Sequence, residues 1–197
     1  MTAAGNALAE SELEHGRLRP DDVTQFRLAQ LTLLLTEVRR LNVDLDLHRL
    51  AVTDFVSANP FLVLERDDVA YRSLRLAGFT EHPLTYAAPG QRYATRRERP
   101  VRDLTLLVSY GLVRVAASAD GRRVFRVTDA GTELAEQLIS VYADAYRASA
   151  RLMLPRINRL NDTALQRELG RWLRADPVLF DLLDVDDTLP ILAAENR

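Results

Sequence analysis

Cysteine is absent from the 197 residues, which removes disulfides, thiolate zinc sites, iron–sulfur clusters and cysteine nucleophiles. Lysine is absent too, and all 26 basic residues are arginine. The phosphate-binding lysine of a P-loop and the Schiff-base lysine of pyridoxal chemistry therefore have no candidate. Three histidines, His15, His48 and His82, stand too far apart for a helical zinc motif. Ser57, Ser73 and Ser109 carry no nucleophile-elbow glycines. No acid–base constellation emerges, so neither a cofactor nor an enzymatic activity is expected. Nor is there an apolar run near the ~20 residues that span a bilayer. Acids stand near Met1 where a signal peptide needs basic and apolar residues, so no membrane contact and a cytoplasmic location are expected.

What is present is the balance of a globular chain: 47% hydrophobic and 27% charged residues. The net charge of -2 conceals an uneven distribution. Nine arginines between Arg92 and Arg126 face only Glu98, Asp103 and Asp120, whereas Asp176 to Arg197 holds six acids and one arginine. A basic centre between acidic ends suits phosphates or an acidic subunit surface. The competing reading is a solvated surface whose arginines pair with Glu98, Asp103 or the acidic tail.

Periodicity predicts a mainly α protein with a small β-hairpin, a winged helix-turn-helix with additional N- and C-terminal helices. Residues 1–22 read as a flexible acidic arm. Residues 23–152 read as the winged-helix domain, with a loop insertion near 79–98 that holds Pro83, Pro89 and Gly90. Residues 153–197 read as a helical extension with an acidic tail. In detail, Thr24 caps a helix to about Asn42 whose buried face is Leu31, Leu34, Leu35, Val38 and Leu41. Asp44 or Asp46 caps a second, which stops before Asn59-Pro60. A third covers Asp67 to Ala77 and closes at Gly78. The fourth starts at Pro100, buries Val101, Leu104, Leu107 and Val108, and stops at Gly111. Strands 112–116 and 123–128 flank an Asp120-Gly121 turn. Then comes one long helix, about Ala130 to Leu152, ended by Pro155, and a last pair over about 163–174 and 178–183.

The informative segment runs from Arg99 to Ala135: helix, glycine, Leu-Val, basic hairpin, Thr-Asp-x-Gly, helix. In a DNA-reading winged helix, the helix before the wing enters the major groove. Its expected outward set, Arg102, Asp103, Thr105, Leu106 and Ser109, is poor for reading bases. Arg96, Arg97, Arg99, Arg102, Arg122, Arg123 and Arg126 are the candidates for contact with the DNA backbone, which positions a protein without reading sequence. Leu138, Val141, Tyr142, Trp172 and Phe180 are the candidate partner interface, whether with another subunit or in a homodimer. Paired acids at 44/46, 67/68 and 186/187 read as helix caps and surface charge, not metal ligands.

The stretch Phe26–Leu64, with Asp46-Leu-His-Arg-Leu-Ala-Val-Thr-Asp54-Phe55 in the pattern D-L-x-R-L-x-x-x-D-F/Y, resembles the opening of middle components of bacterial ABC-three-component systems. The segment 99–135 agrees with that resemblance. It implies a non-enzymatic winged-helix subunit that bridges an SMC/Rad50-like ATPase and an effector in anti-phage defence, similar in role to the kite subunits of condensins. It implies double-stranded DNA as a partner through the complex, and no catalytic residues. The alternative is a homodimeric winged-helix transcription regulator with two operator half-sites about one helical turn apart.

Overall fold

The structure is a computed structural model and describes residues 22–79 and 89–173. Helices dominate, and the single sheet among the described residues is a two-stranded antiparallel hairpin. In chain order come α1 (Thr24–Arg40), α2 (Leu47–Ala58), a 3-10 turn (Pro60–Leu62), α3 (Val69–Leu76), α4 (Pro89–Arg97) and α5 (Pro100–Ser109). The strands β1 (Val113–Ala117) and β2 (Arg123–Val127) follow, then α6 (Asp129–Gln137), α7 (Val141–Asn158) and α8 (Asp162–Leu173).

Side-chain caps set most of the helix starts. Asp46 accepts the Arg49 amide, Asp68 that of Ala70, Thr128 that of Gly131 and Ser140 that of Ala143. At α1 the expected cap fails: Val23 is the capping residue and makes no side-chain bond, while Thr24 Oγ1 accepts from Arg27 instead. Gly111 ends the α5 turn with φ of 71°, a conformation costly for residues with a Cβ. Gly131 is required for a different reason. A Cβ there would lie 2.2 Å from the Leu112 carbonyl, so α6 could not seat against the base of the hairpin.

Two apolar groups form the core. The first joins Leu31, Leu34, Leu35 and Val38 of α1 to Leu50, Leu104, Leu107, Val113, Val127 and the start of α7. The second joins Val52, Phe55 and Val56 to Tyr71, Leu74, Tyr93, the end of α7 and Leu165, Leu169 and Leu173 of α8. Helix α1 is buried nearly all round its middle, including Gln30, Thr32 and Leu33, as befits a central helix. Leu41, expected on its buried face, is exposed.

Four further expectations are corrected. The region near 79–98 is not all loop, because α4 starts at Pro89, where a missing N–H costs nothing; residues 80–88 lie outside the described set. The long helix over 130–152 is two helices, broken at Leu138–Ser140, where Ser140 caps α7 and Arg147 donates to the carbonyls of Ala135 and Leu138. Pro155 does not end α7, which runs three residues further, straight through the expected boundary at 152/153. On α5, Leu104 and Leu107 are buried, but Val101 and Val108 are 55% and 37% exposed. The expected arm and the 178–183 helix lie outside the described residues.

Candidate nucleic-acid and partner interface

The turn of α5 that faces inward carries Asp103, against the expectation that this side chain points outward. Arg27 of α1 grips it with two bonds, Nε to Oδ2 at 2.8 Å and Nη2 to Oδ1 at 3.0 Å. This pair rotates α5 so that Val101, Arg102, Thr105, Val108 and Ser109 face solvent. One cation and two valines are a weak set for hydrogen-bonding base edges.

In the hairpin, Val113 pairs with Val127, Arg114 with Arg126, Val115 with Phe125 and Ala117 with Arg123. Arg114 and Arg126 are therefore like charges directly opposite, an arrangement that destabilises a sheet unless an anion intervenes. Asp44 supplies it: Arg126 Nη2 lies 2.9 Å from both carboxylate oxygens. Arg122 donates to Asp46 at 3.2 Å and to Asp120 at 2.6 Å, and Ser118 donates to Asp120 as well. The Ser118 bond first, then Arg122, hold the Asp120 carboxyl below its usual range, and the same Asp120 bond raises Arg122. The ribbon is thus tied to the segment ahead of α2 by two arginine–aspartate links. Arg102, Arg114 and Arg123 are exposed, and no ion pair among the described residues holds them.

The other expected backbone contacts sort differently. Arg96 is not on the surface: its Nε donates to Asp54 Oδ2 at 2.8 Å inside the fold. Arg99 reaches Asp22 at 3.2 Å, and Arg97 is half-buried and has interactions of its own. Of the seven, Arg102 and Arg123 remain open cations, joined by Arg114.

Sequence reasoning missed the buried polar centre at Asp54. Its carboxylate accepts from Gln30 at 3.1 Å, Tyr146 at 2.8 Å and Arg96, so α1, α2, α4 and α7 meet on one anion. Burial first, and then the Asp54 charge, push the Tyr146 hydroxyl well above its ordinary value, so it serves as a donor. Burial also pushes Tyr93 up to about 12. The signal was in the D-L-x-R-L-x-x-x-D-F/Y stretch itself. Asp46 caps α2 and meets the ribbon. Arg49 holds the carbonyls of Ile157 and Leu160 and the carboxylate of Asp162. All three polar residues of that motif brace the fold.

The candidate partner residues are dispersed. Leu138 packs on the first core group, while Val141 is 76% exposed beside Ile139 at 84%. Tyr142 lies between Phe26, whose ring is tilted against it at 5.1 Å between centres, and Tyr146, on which it stacks at 6.1 Å. Tyr142 and Trp172 both line one broad groove of about 1480 Å³, along with Phe61 and Arg159. Phe180 lies outside the described residues. His48 is exposed, 3.4 Å from Gln166. Among the described residues no cluster of three or more metal-ligating side chains occurs, and no helix is long and apolar enough to cross a membrane.

A mainly helical protein with a clamped basic ribbon is the class that this geometry defines. Residues 30–174 match the family described as ABC-three component (ABC-3C) system Middle Component 2, and the chain belongs to that family. No curated protein and no solved structure matches it.

Proposed function

We propose that this chain is a non-enzymatic accessory subunit that bridges an SMC/Rad50-like ATPase and an effector in a bacterial defence complex. In this reading the helix–hairpin–helix unit from Pro100 to Gln137 is a winged helix, and Arg102, Arg114 and Arg123 meet the DNA backbone without reading sequence. The observation that carries the reading is membership of a middle-component family over most of the chain. It is supported by the open arginines on α5 and the hairpin, beside others clamped to aspartates. Phosphate contact needs cations in a fixed frame, which a ribbon held at Asp44 and Asp46 supplies. An operator-reading homodimer is less well supported, since the exposed face of α5 offers Val101, Thr105 and Val108 around one arginine.

Two measurements test it. Co-expression with an SMC/Rad50-like ATPase component of the same system should yield a complex that survives gel filtration; recovery of this chain alone overturns the bridging role. In that complex, Arg114→Ala with Arg123→Ala should weaken binding to every duplex sequence. The log–log salt slope should fall by about two, near 0.9 for each phosphate no longer neutralised. An unchanged slope means that the ribbon does not meet DNA.

A further inference from the structure

The broad groove lies between the 58–66 segment, α3, the end of α7 and α8, far in sequence from the ribbon. Its lining combines apolar surface, notably Phe61, Leu62 and Trp172, with five arginines against two glutamates. Arg156 is engaged with Asp68 and Arg171 with Glu168, whereas Arg159 is exposed and no ion pair among the described residues holds it. Such a surface fits a chain that is both apolar and acidic: nonpolar side chains cover the aromatic floor while carboxylates meet the guanidinium rim.

That composition belongs to residues 174–197. They carry Val178, Leu179, Phe180, Leu182 and Leu183 interleaved with Asp176, Asp181 and Asp184, and then Asp186 and Asp187. Helix α8 ends at Leu173, one residue after Trp172 of the groove lining, so the segment leaves the described fold at the groove itself. Its 24 residues could extend about 80 Å at ~3.3 Å each, ample for a groove that starts at its root. The family match ends at residue 174, where this segment begins.

We propose that residues 174–197 dock in cis into the groove lined by Phe61, Arg159, Arg171 and Trp172, the aspartates at 181 and 184 meeting the arginines. The groove is then a self-occupied site. Nothing in this step depends on the ribbon or on DNA.

The test uses the full-length chain and its only tryptophan, Trp172. Acrylamide quenching of its emission is measured in the parent at 0.1 M and 1 M salt, where the screening length falls from about 10 Å to about 3 Å. Quenching should rise by about twofold as the segment is released and the indole opens to solvent. The variants Asp181→Asn with Asp184→Asn, and Arg159→Glu with Arg171→Glu, should each raise it similarly at low salt. A chain combining Arg159→Glu and Arg171→Glu with Asp181→Arg and Asp184→Arg should return to the parent value. Circular dichroism checks that each variant folds, and the salt titration needs no variant at all. Quenching that responds neither to salt nor to either charge pair overturns the proposal. So does a swapped chain that fails to recover. Protection that grows between about 1 and 100 μM protein, with dimers in sedimentation, assigns the occupant to a second copy and overturns docking in cis.

Discussion

Arg96 and Arg126 belong to one basic stretch of sequence and lead opposite lives. Arg96 lies inside the molecule on Asp54, an anion that also collects Gln30 and Tyr146. Arg126 lies at the surface on Asp44, with both partners open to solvent. Both pairs are close, at 2.8 and 2.9 Å. Their worth differs because of the medium. Removing one member of a buried pair strands a charge in low dielectric, whereas removing one at the surface hands the other to solvent. The lesson is that an arginine-rich run is two populations, one paired inside the fold and one paired or exposed at its surface.

The sharpest way to break this contrast is Asp54→Ala. It leaves Arg96, Gln30 and Tyr146 without their common acceptor and should cost about 3–5 kcal/mol, read from urea unfolding. A loss below about 1 kcal/mol would mean that water fills the centre and that the two populations are alike. The matched surface change, Arg126→Ala, should cost less than about 1 kcal/mol in the same assay, since it also relieves the Arg114–Arg126 opposition.

The smallest effect is a pH dependence. The Arg49 hydrogen bond first, then its charge, hold the Asp162 carboxyl below the usual carboxylate range. A carboxyl depressed in the folded state stabilises above its unfolded pKa, near 4, and ceases to do so as the pH falls through its folded value. Asp162 is largely open to water, so Asp162→Asn should cost only about a few tenths of a kcal/mol at neutral pH. Parent and variant should unfold at the same urea concentration once the pH has fallen below the folded value of Asp162, where both side chains are neutral. A difference that persists there would assign the contact to geometry and not to charge.

Much of the fold could be read from local chemistry. Glycines 78, 111 and 121 all take positive φ at the helix ends and hairpin turn where the sequence places them. Of the two candidates Asp44 and Asp46, Asp46 is the cap, because its acceptor oxygen stands one turn before a free amide. The misses came where a local signal had two solutions. On α5, positions 101, 104 and 108 and positions 104 and 107 are overlapping stripes with the same helical period. Arg27, 76 residues away, decides between them by drawing Asp103 inward. Leu138, Val141 and Ala145 keep helical phase across the break, so apolar spacing hid it and the Ser140 cap was the only clue. Pro89-Gly90 reads as a loop until the proline is placed at the first helical position.

The candidate site was less legible than the fold for the same reason. Nothing local tells Arg126 from Arg96; the acids that separate them, Asp44 and Asp54, come from a different helix and its approach. The D-L-x-R-L-x-x-x-D-F/Y stretch was visible as a pattern, yet the contacts of its Arg49 reach residues more than 100 positions away.

Helix α7 gives Tyr146, Ala150 and Leu154 to one apolar group and Met153 and Ile157 to the other. Among the described residues, one continuous helix therefore joins the ribbon end to the groove end. Because both apolar groups share that strut, loss of either should carry the other with it, and the described core should melt in one step in a thermal scan.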